Sequence, residues 1–99
     1  AAAAELVKSG DCQFGIILCG TGQGIMMAAN KIKGVRCGVG SDLFSAEMIR
    51  AHNDANMLSL GSRVINETEA LQFTEVFLNT PFEGGRHGMR VEMIDALEA

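Results

Sequence analysis

The chain is built around one glycine-rich turn, Gly20-Thr21-Gly22-Gln23-Gly24. An apolar run at 14–19 precedes the turn and is typical of a buried strand, and residues 25–31 follow it with the composition of a helix. A strand, a glycine-rich turn and a helix together aim backbone N–H groups at an anion, and glycine permits the close approach of a ligand. The same pattern also fits a tight turn without a ligand, so the turn alone leaves both interpretations open.

Cys19 ends the predicted strand, directly before the turn. Open α/β sheets bind their ligands at the carboxyl ends of the strands, and a thiol that faces a helix N-terminus can act as a base or nucleophile. The alternative is a buried structural cysteine. The three cysteines, Cys12, Cys19 and Cys37, are an odd number without paired spacing. They predict neither a disulfide framework nor a zinc site, and they fit a reducing compartment.

Length and composition exclude several classes of protein. The 99 residues are enough for one small domain, which we expect over 1–99. A formal net charge of -4 and the lack of Trp and Tyr argue against nucleic-acid binding. No apolar run is long enough to span a membrane, and the first residues lack a signal pattern. We therefore expect a cytoplasmic protein that binds neither nucleic acid nor membrane.

Predicted strands and helices alternate along the chain. The strands are expected at 14–19, 35–39 and 57–60, and the helices at 1–8, 24–32, 43–52, about 67–79 and about 86–97. Asp42 and Asn66 have the sequence context of helix N-caps. Alternation predicts an α/β fold whose parallel sheet is covered on both faces. Three strands leave a sheet edge open, so we expect further strands, a partner chain, or both.

Helical spacing also groups apolar side chains on one face of each of the last three helices, and the face of the last helix is expected to need cover from outside these three strands. The grouped side chains are Phe44, Met48 and Ile49 in the third helix, Leu71, Phe77 and Leu78 in the fourth, and Met89, Met93, Ile94 and Leu97 in the last.

Two arginines begin the last predicted helix. Arg86 and Arg90 are four residues apart and therefore share one helix face. A cation in the first turn opposes the helix dipole, and a bound phosphate would resolve that conflict. Arg63, just after the third strand, supports an anion site. The alternative is a solvated basic edge that pairs with Glu83 or Glu92.

A polar run, residues 52–56 (HNDAN), joins the third helix to the third strand. His52 has the residue type for acid or base chemistry near neutral pH. The alternative is a helix C-terminus at which the dipole favours histidine, followed by a turn. This position is the opposite end of the sheet from Cys19, so a role for His52 in the same site would require two chains.

These motifs together resemble the type B ribose-5-phosphate isomerases, a family that also contains the galactose-6-phosphate isomerase subunits. The resemblance is carried in order by residues 18–24, 28–31, 50–56, 60–63, 83–87 and 90–91. It implies a Rossmann-like three-layer α/β/α sandwich with a parallel sheet, in an obligate dimer whose active sites draw on both subunits. It also implies aldose–ketose isomerisation of a phosphorylated sugar, without metal or cofactor.

The resemblance assigns roles residue by residue. Cys19 would be the base that moves the proton between C1 and C2, and His52 would assist ring opening. The turn would hold the developing enediolate, in agreement with the ability of preorganised N–H groups to stabilise an oxyanion. We count Thr21 with the catalytic residues, and the expected substrate contacts are Gly20, Gly22, Gly24, Asn53, Arg63, Arg86 and Arg90.

Two departures from the family pattern matter. The family begins with a strand that carries an Asp-His pair and continues to a Tyr-Pro loop, whereas the one proline here is Pro81. We therefore expect the N-terminal strands of the fold to be missing from these 99 residues. Some relatives use a Glu after the turn as the base, and Ile25 and Met26 occupy that region here, which favours Cys19.

We favour the interconversion of ribose 5-phosphate and ribulose 5-phosphate. The alternatives are a galactose-6-phosphate isomerase subunit and an inactive phosphosugar-binding remnant. A nucleotide-binding flavodoxin-like domain is a weaker alternative, because no acidic ribose-binding residue supports it.

Overall fold

The computed structural model describes residues 2–97, and its helices and strands alternate as predicted. In chain order they are α1 (Ala2–Ser9), β1 (Gly15–Cys19), α2 (Gln23–Ala29), β2 (Cys37–Val39), α3 (Leu43–Ala51), β3 (Met57–Gly61), α4 (Glu67–Asn79) and α5 (Arg86–Asp95). None of the helices in this part of the chain is long and apolar enough to cross a membrane.

The three strands form one parallel sheet in the order β1-β3-β2, which confirms the predicted sheet. Met57 is opposite both Gly15 and Cys37, so the strands start together, and Cys19 is opposite Gly61 at the other end. The central strand β3 is buried along its whole length. Within the described residues β1 pairs with β3 alone, and its Leu18 is 59% exposed.

Helices cover both faces of the sheet, which confirms the three-layer arrangement. One apolar cluster joins α1 and α2 to the sheet and contains Ala4, Val7, Ile17, Ala29 and Met57. A second cluster joins α3 and α4 to the opposite face and contains Ala46, Leu58, Leu60, Phe73 and Phe77.

Both predicted N-caps are present. The Asp42 carboxylate accepts a hydrogen bond from the Ser45 backbone at 2.7 Å, and the Asn66 side chain accepts one from the Glu69 backbone at 2.8 Å. In each case the side chain of the residue at N3 also bonds the cap backbone, forming a capping box.

Several element ends differ from the prediction, and asparagine side chains explain two of these differences. Helix α2 ends at Ala29 instead of continuing to residue 32. The Asn30 side chain accepts a bond from the Cys37 backbone N–H at 2.8 Å and donates to the Cys37 carbonyl at 2.9 Å. Strand β2 begins at Cys37 instead of Val35, because the Arg36 N–H donates to the Asn56 side chain.

The apolar faces that helical spacing predicts meet the core only in part. In α3, Ile49 packs against the second cluster as predicted, whereas Phe44 is 72% exposed, and the buried residues are Ala46, Arg50 and Ala51. Helix α5 buries Val91, while Met89, Met93, Ile94 and Leu97 are exposed. In α4, Phe77 is buried as predicted, but Leu71 and Leu78 are exposed. Spacing identifies which residues share a helix face, but it does not decide whether that face or a face of small residues meets the sheet.

Candidate active site

Cys19 lies half-buried at the carboxyl end of β1, and the turn folds back over its thiol. The N–H of Gly22 donates to Cys19 Sγ at 3.1 Å. Gly22 has a φ of 81°, a value that favours glycine, and it is the N-cap residue of α2. The buried Ser59 hydroxyl donates to the Gly22 carbonyl at 2.6 Å. The sulfur therefore has a backbone N–H partner whose position is fixed by the neighbouring strand.

The end of β3 sets the position of the whole turn. The N–H of Ser62 donates to the Cys19 carbonyl at 2.7 Å, and the N–H of Arg63 donates to the Gly20 carbonyl at 2.9 Å. A Cβ placed on Gly20 would lie 3.5 Å from Arg63 Nε, so the Arg63 side chain runs beside the turn. Cys19, the turn and Arg63 thus form one group at the carboxyl edge of the sheet.

The outer side of the turn is open. Thr21 is exposed, and its hydroxyl accepts from the Gln23 N–H at 3.4 Å. A Cβ placed on Gly24 would meet no atom within 4 Å. The first turn of α2 therefore has free space above it, where the backbone is accessible to a ligand.

A second cluster lies at the opposite, amino edge of the sheet. His52 caps the C-terminus of α3, and its ring stacks on that of His87 with centroids 4.0 Å apart and planes 7° apart. Glu83 Oε1 lies 3.4 Å from His52 Nε2 and 3.6 Å from His87 Nε2, both ion-pair distances.

Burial lowers the pKa of His87, whose side chain is only 13% exposed. The neighbouring His52, Arg86 and Arg90 lower the pKa further, and Glu83 opposes them by raising it. The net effect of these surroundings is to favour the neutral form of this imidazole.

The donor atoms of His52, Glu83 and His87 all lie within 4.8 Å of one another, a spacing that a metal ion could bridge. A metal bound to an imidazole lies close to the plane of that ring. Because the two rings are stacked and nearly parallel, their Nε2 lone pairs do not converge on one point. The cluster would have to turn one ring before it could hold an ion.

The predicted phosphate ligands Arg86 and Arg90 are exposed in the first half of α5. Helix α5 starts after Gly84 and Gly85, whose φ values are 72° and 59°. Asn53 is exposed beside His52 and lines a cavity of about 720 Å³ next to β2. Lys31, Lys33 and Arg36 line the same cavity.

The structure therefore brings the predicted site residues together as two separate groups. His52 and Asn53 precede Met57, at the start of β3, whereas Cys19 and Arg63 adjoin its end. The N–H of Glu83 donates to the Ala51 carbonyl at 2.9 Å, which holds the start of α5 at the amino edge as well. A five-residue strand separates the two edges by roughly 13 Å.

Comparison with known proteins identifies the family of this chain. The sequence profile of a family described as Ribose/Galactose Isomerase matches residues 1–94. The chain belongs to this family.

Individual members of the ribose/galactose isomerase family are close in sequence and structure. Ribose-5-phosphate isomerase B of Escherichia coli is 47% identical over 92 residues, which are 93% of this chain and 62% of that protein. The structure of ribose-5-phosphate isomerase B from Clostridium thermocellum superposes with a TM-score of 0.94 at 49% identity, over 96% of this chain and 64% of that one.

A third relative was solved with a ligand. The Mycoplasma genitalium ribose-5-phosphate isomerase B structure, with bound ribulose-5-phosphate, has a TM-score of 0.90 and 41% identity, over 97% of this chain and 63% of that one. The present chain thus spans slightly less than two thirds of the length of these relatives.

Sequence reasoning missed Arg50, the residue that holds the loop at 52–56 in place. Arg50 is buried and donates to the Asp54 carboxylate and to the Ala55 carbonyl, both at 2.8 Å. It also donates to the Thr80 carbonyl at 3.3 Å and lies over the Phe14 ring at 4.9 Å. An arginine among apolar helix residues could have indicated this role, because a buried cation needs partners.

The remaining cysteines differ from Cys19 in position. Cys37 is buried in β2, and burial raises the pKa of its thiol to about 11. Cys12 is exposed before β1, away from the turn. A protonated, enclosed thiol such as Cys37 is unsuited to proton transfer near neutral pH.

Proposed function

We propose that this chain carries the activity of a ribose-5-phosphate isomerase, which interconverts ribose 5-phosphate and ribulose 5-phosphate through an enediolate. The observation that carries the proposal is the Gly22 N–H that meets Cys19 Sγ at 3.1 Å, in a turn with open space above it. Names of relatives and the ribulose-5-phosphate bound to one of them support the substrate.

In this mechanism the Cys19 thiolate removes the proton from C2 of the open-chain aldose. The electron pair moves to the C1 oxygen, giving an enediolate whose negative charge is stabilised by N–H groups of the turn, Gly20 to Gly24. The proton then returns to C1, the C2 hydroxyl loses its proton as its oxygen becomes the carbonyl of the ketose, and the C1 oxygen takes up a proton to become a hydroxyl. Thr21 lies on the open side of the turn, where its hydroxyl is available to the same oxygens.

A complete site in this proposal combines two chains. Cys19 and Arg63 from one chain supply the base and one phosphate contact. His52, Asn53, Arg86 and Arg90 from the other supply ring opening, sugar contact and the remaining phosphate contacts. The separation of the two groups by the length of β3 supports a shared site, and two-fold symmetry would give two such sites per dimer.

The exposed apolar side chains of α5 are available for contact between the chains. Residues 1–99 would form one sugar-phosphate isomerase domain, active in the cytoplasm without metal or cofactor.

Mixing two inactive variants tests the shared site. Cys19→Ala and His52→Gln should each abolish isomerisation, because each removes one group from every site. Equal amounts unfolded and refolded together should recover about a quarter of the wild-type rate, since half of the dimers are mixed and each mixed dimer has one intact site. The assay uses an extended chain, in which the 99 residues follow the N-terminal segment of the Escherichia coli relative.

Two outcomes would contradict this proposal. A mixture as inactive as its parents would place both groups in one chain, and an active Cys19→Ala variant would exclude Cys19 as the base. Galactose 6-phosphate in place of ribose 5-phosphate in the same assay identifies the preferred sugar.

A further inference from the structure

We propose that Arg36 is a positioning residue, which joins the end of α5 to the 52–56 loop and fixes the phosphate contacts on α5 relative to the sugar contact Asn53. The connection, called here the Arg36 bridge, consists of the ion pairs of Arg36 with Asp54 and Asp95. Its effect on substrate binding rests on the proposed function, whereas the bridge itself does not.

Helix α5 is held to the rest of the chain by few contacts. Within the described residues it buries Val91 alone, and the other large apolar side chains on it are exposed. Before its start the Glu83 N–H donates to the Ala51 carbonyl at 2.9 Å, and in its first turn His87 stacks on His52. The direction of the helix therefore depends on what holds its last turn.

The last turn of α5 is held by Arg36. Arg36 Nη1 donates to both carboxylate oxygens of Asp95, at 3.1 and 3.2 Å. A carboxylate at a helix C-terminus opposes the helix dipole, and a cation beside it offsets that unfavourable interaction. Since the last turn of α5 contains no basic residue of its own, Arg36 supplies the cation from another part of the chain.

Arg36 is itself fixed by the central strand and the loop before it. Its backbone N–H donates to the Asn56 side chain at 2.8 Å, and its carbonyl accepts from the N–H groups of Asn56 and Met57. Its Nε donates to the Asp54 carbonyl at 3.0 Å. Exposed ion pairs usually contribute little, because two flexible side chains lose their freedom when they form. The planar guanidinium of Arg36 is already oriented by Asp54, so that loss is smaller for its pair with Asp95.

Asp54 connects the Arg36 bridge to the loop that carries His52 and Asn53. Its Oδ1 accepts from Arg50 Nη1 at 2.8 Å, and its Oδ2 accepts from Arg36 Nη2 at 3.4 Å. Asp54 has a φ of 48°, a left-handed conformation that aspartate tolerates better than most residues. The two arginines hold this turn directly after Asn53, so one guanidinium contacts both the loop and the end of α5.

Small rotations of α5 move the groups that it carries. Arg90 lies about 6 Å along the helix axis from Arg86, so a pivot of roughly 10° at the start of α5 displaces Arg90 by about 1 Å. Asn53 stays on the loop, and the distance between the phosphate and sugar contacts changes. Loss of the Arg36 bridge should therefore weaken substrate binding more than proton transfer at Cys19, which belongs to the other group of site residues.

Hydrogen exchange in the 99-residue chain tests the bridge without an assay of activity. A helix of ten residues is marginal in isolation, so the protection of its amides reports its docking. Asp95→Asn and Arg36→Met should each speed exchange of the α5 amides by about fivefold and leave the α4 amides unchanged. The double variant should exchange no faster than Arg36→Met, because the two residues act through one contact. Glu92→Gln, which removes an exposed carboxylate from the same helix, is the matched control and should have no effect.

Steady-state kinetics on the extended chain test the consequence for the substrate. Asp95→Asn should raise KM for ribose 5-phosphate and the inhibition constant of inorganic phosphate by a common factor of about five, with kcat changed by less than about twofold. Glu92→Gln should change neither constant. A merely structural role for Asp95 would lower the fraction of folded enzyme, and therefore kcat, without changing KM.

The two experiments separate this inference from the proposed function. Unchanged exchange in α5 for both Asp95→Asn and Arg36→Met, or an equal change in α4, would overturn the bridge. Faster exchange with an unchanged KM would overturn its effect on binding, and with it the assignment of Arg86 and Arg90 as phosphate contacts. The exchange experiment needs no isomerase activity, so it decides the bridge even if the proposed function fails.

Discussion

Replacement of Gly61 by alanine should displace the glycine-rich turn by steric contact alone, because a methyl group adds no reactive atom. A Cβ on Gly61 would lie 2.6 Å from both the carbonyl carbon and the carbonyl oxygen of Thr21, whereas ordinary contacts begin at 3.4 Å. The turn must therefore move away from β3 by roughly 0.8 Å. Overpacking of this kind costs about 1–3 kcal/mol, and a misplacement near 1 Å in a catalytic group can cost about 100-fold in rate.

We expect Gly61→Ala to lower the free energy of unfolding by about 2 kcal/mol in urea and kcat/KM of the extended chain by about 100-fold. Gly88→Ala in α5 is the matched control, because its Cβ would meet Phe82 at 3.9 Å, an ordinary contact. The control should be as stable as the parent or slightly more stable. A Gly61→Ala variant with unchanged stability would refute the steric reasoning. One that loses stability but keeps its full rate would show that the rate does not depend on the position of the turn.

Two further predictions concern stability. Arg50→Met should lower the free energy of unfolding by roughly 2–3 kcal/mol, because the Ala55 carbonyl and part of the Asp54 charge lose their partner. Lys33→Met on the surface is the control in the same urea titration, and equal values for the two variants would contradict the prediction. Since the fold lowers the pKa of His87 below its ordinary 6.5, protonation favours the unfolded chain. The contribution of neutral His87 to the free energy of unfolding should therefore be complete above pH 6.5, and it should be lost as the pH drops through the lower pKa that His87 has in the folded chain. His87→Gln should flatten this pH dependence in thermal melts at pH 5 to 7.

The parts of the fold that the sequence predicts correctly depend on local chemistry. Asp42 and Asn66 cap helices through bonds to residues three positions later, so the signal lies within one helical turn. The alternation of strands and helices is likewise visible in the periodicity of apolar residues. These features follow from short segments, and the structure confirms them.

The features that sequence reasoning misses depend on residues far apart in the chain. Arg50 is buried because Phe14, Ala55 and Thr80 surround it, and no local pattern identifies those partners. The stacking of His52 on His87 likewise depends on the docking of α5 against the end of α3. The glycine-rich turn can be predicted because its whole signal lies in one short segment. The cluster around Glu83 cannot, because its members come together only in the tertiary structure.

The outer side of β1 has a consequence for handling the isolated chain. Within the described residues this strand pairs with β3 alone, and Ile16 and Leu18 on it are exposed. An uncovered edge strand with apolar side chains is a template on which a strand from another molecule can add. We therefore expect edge-to-edge association of the 99-residue chain to increase with protein concentration and temperature. A segment that occupies this edge would then protect the chain against aggregation.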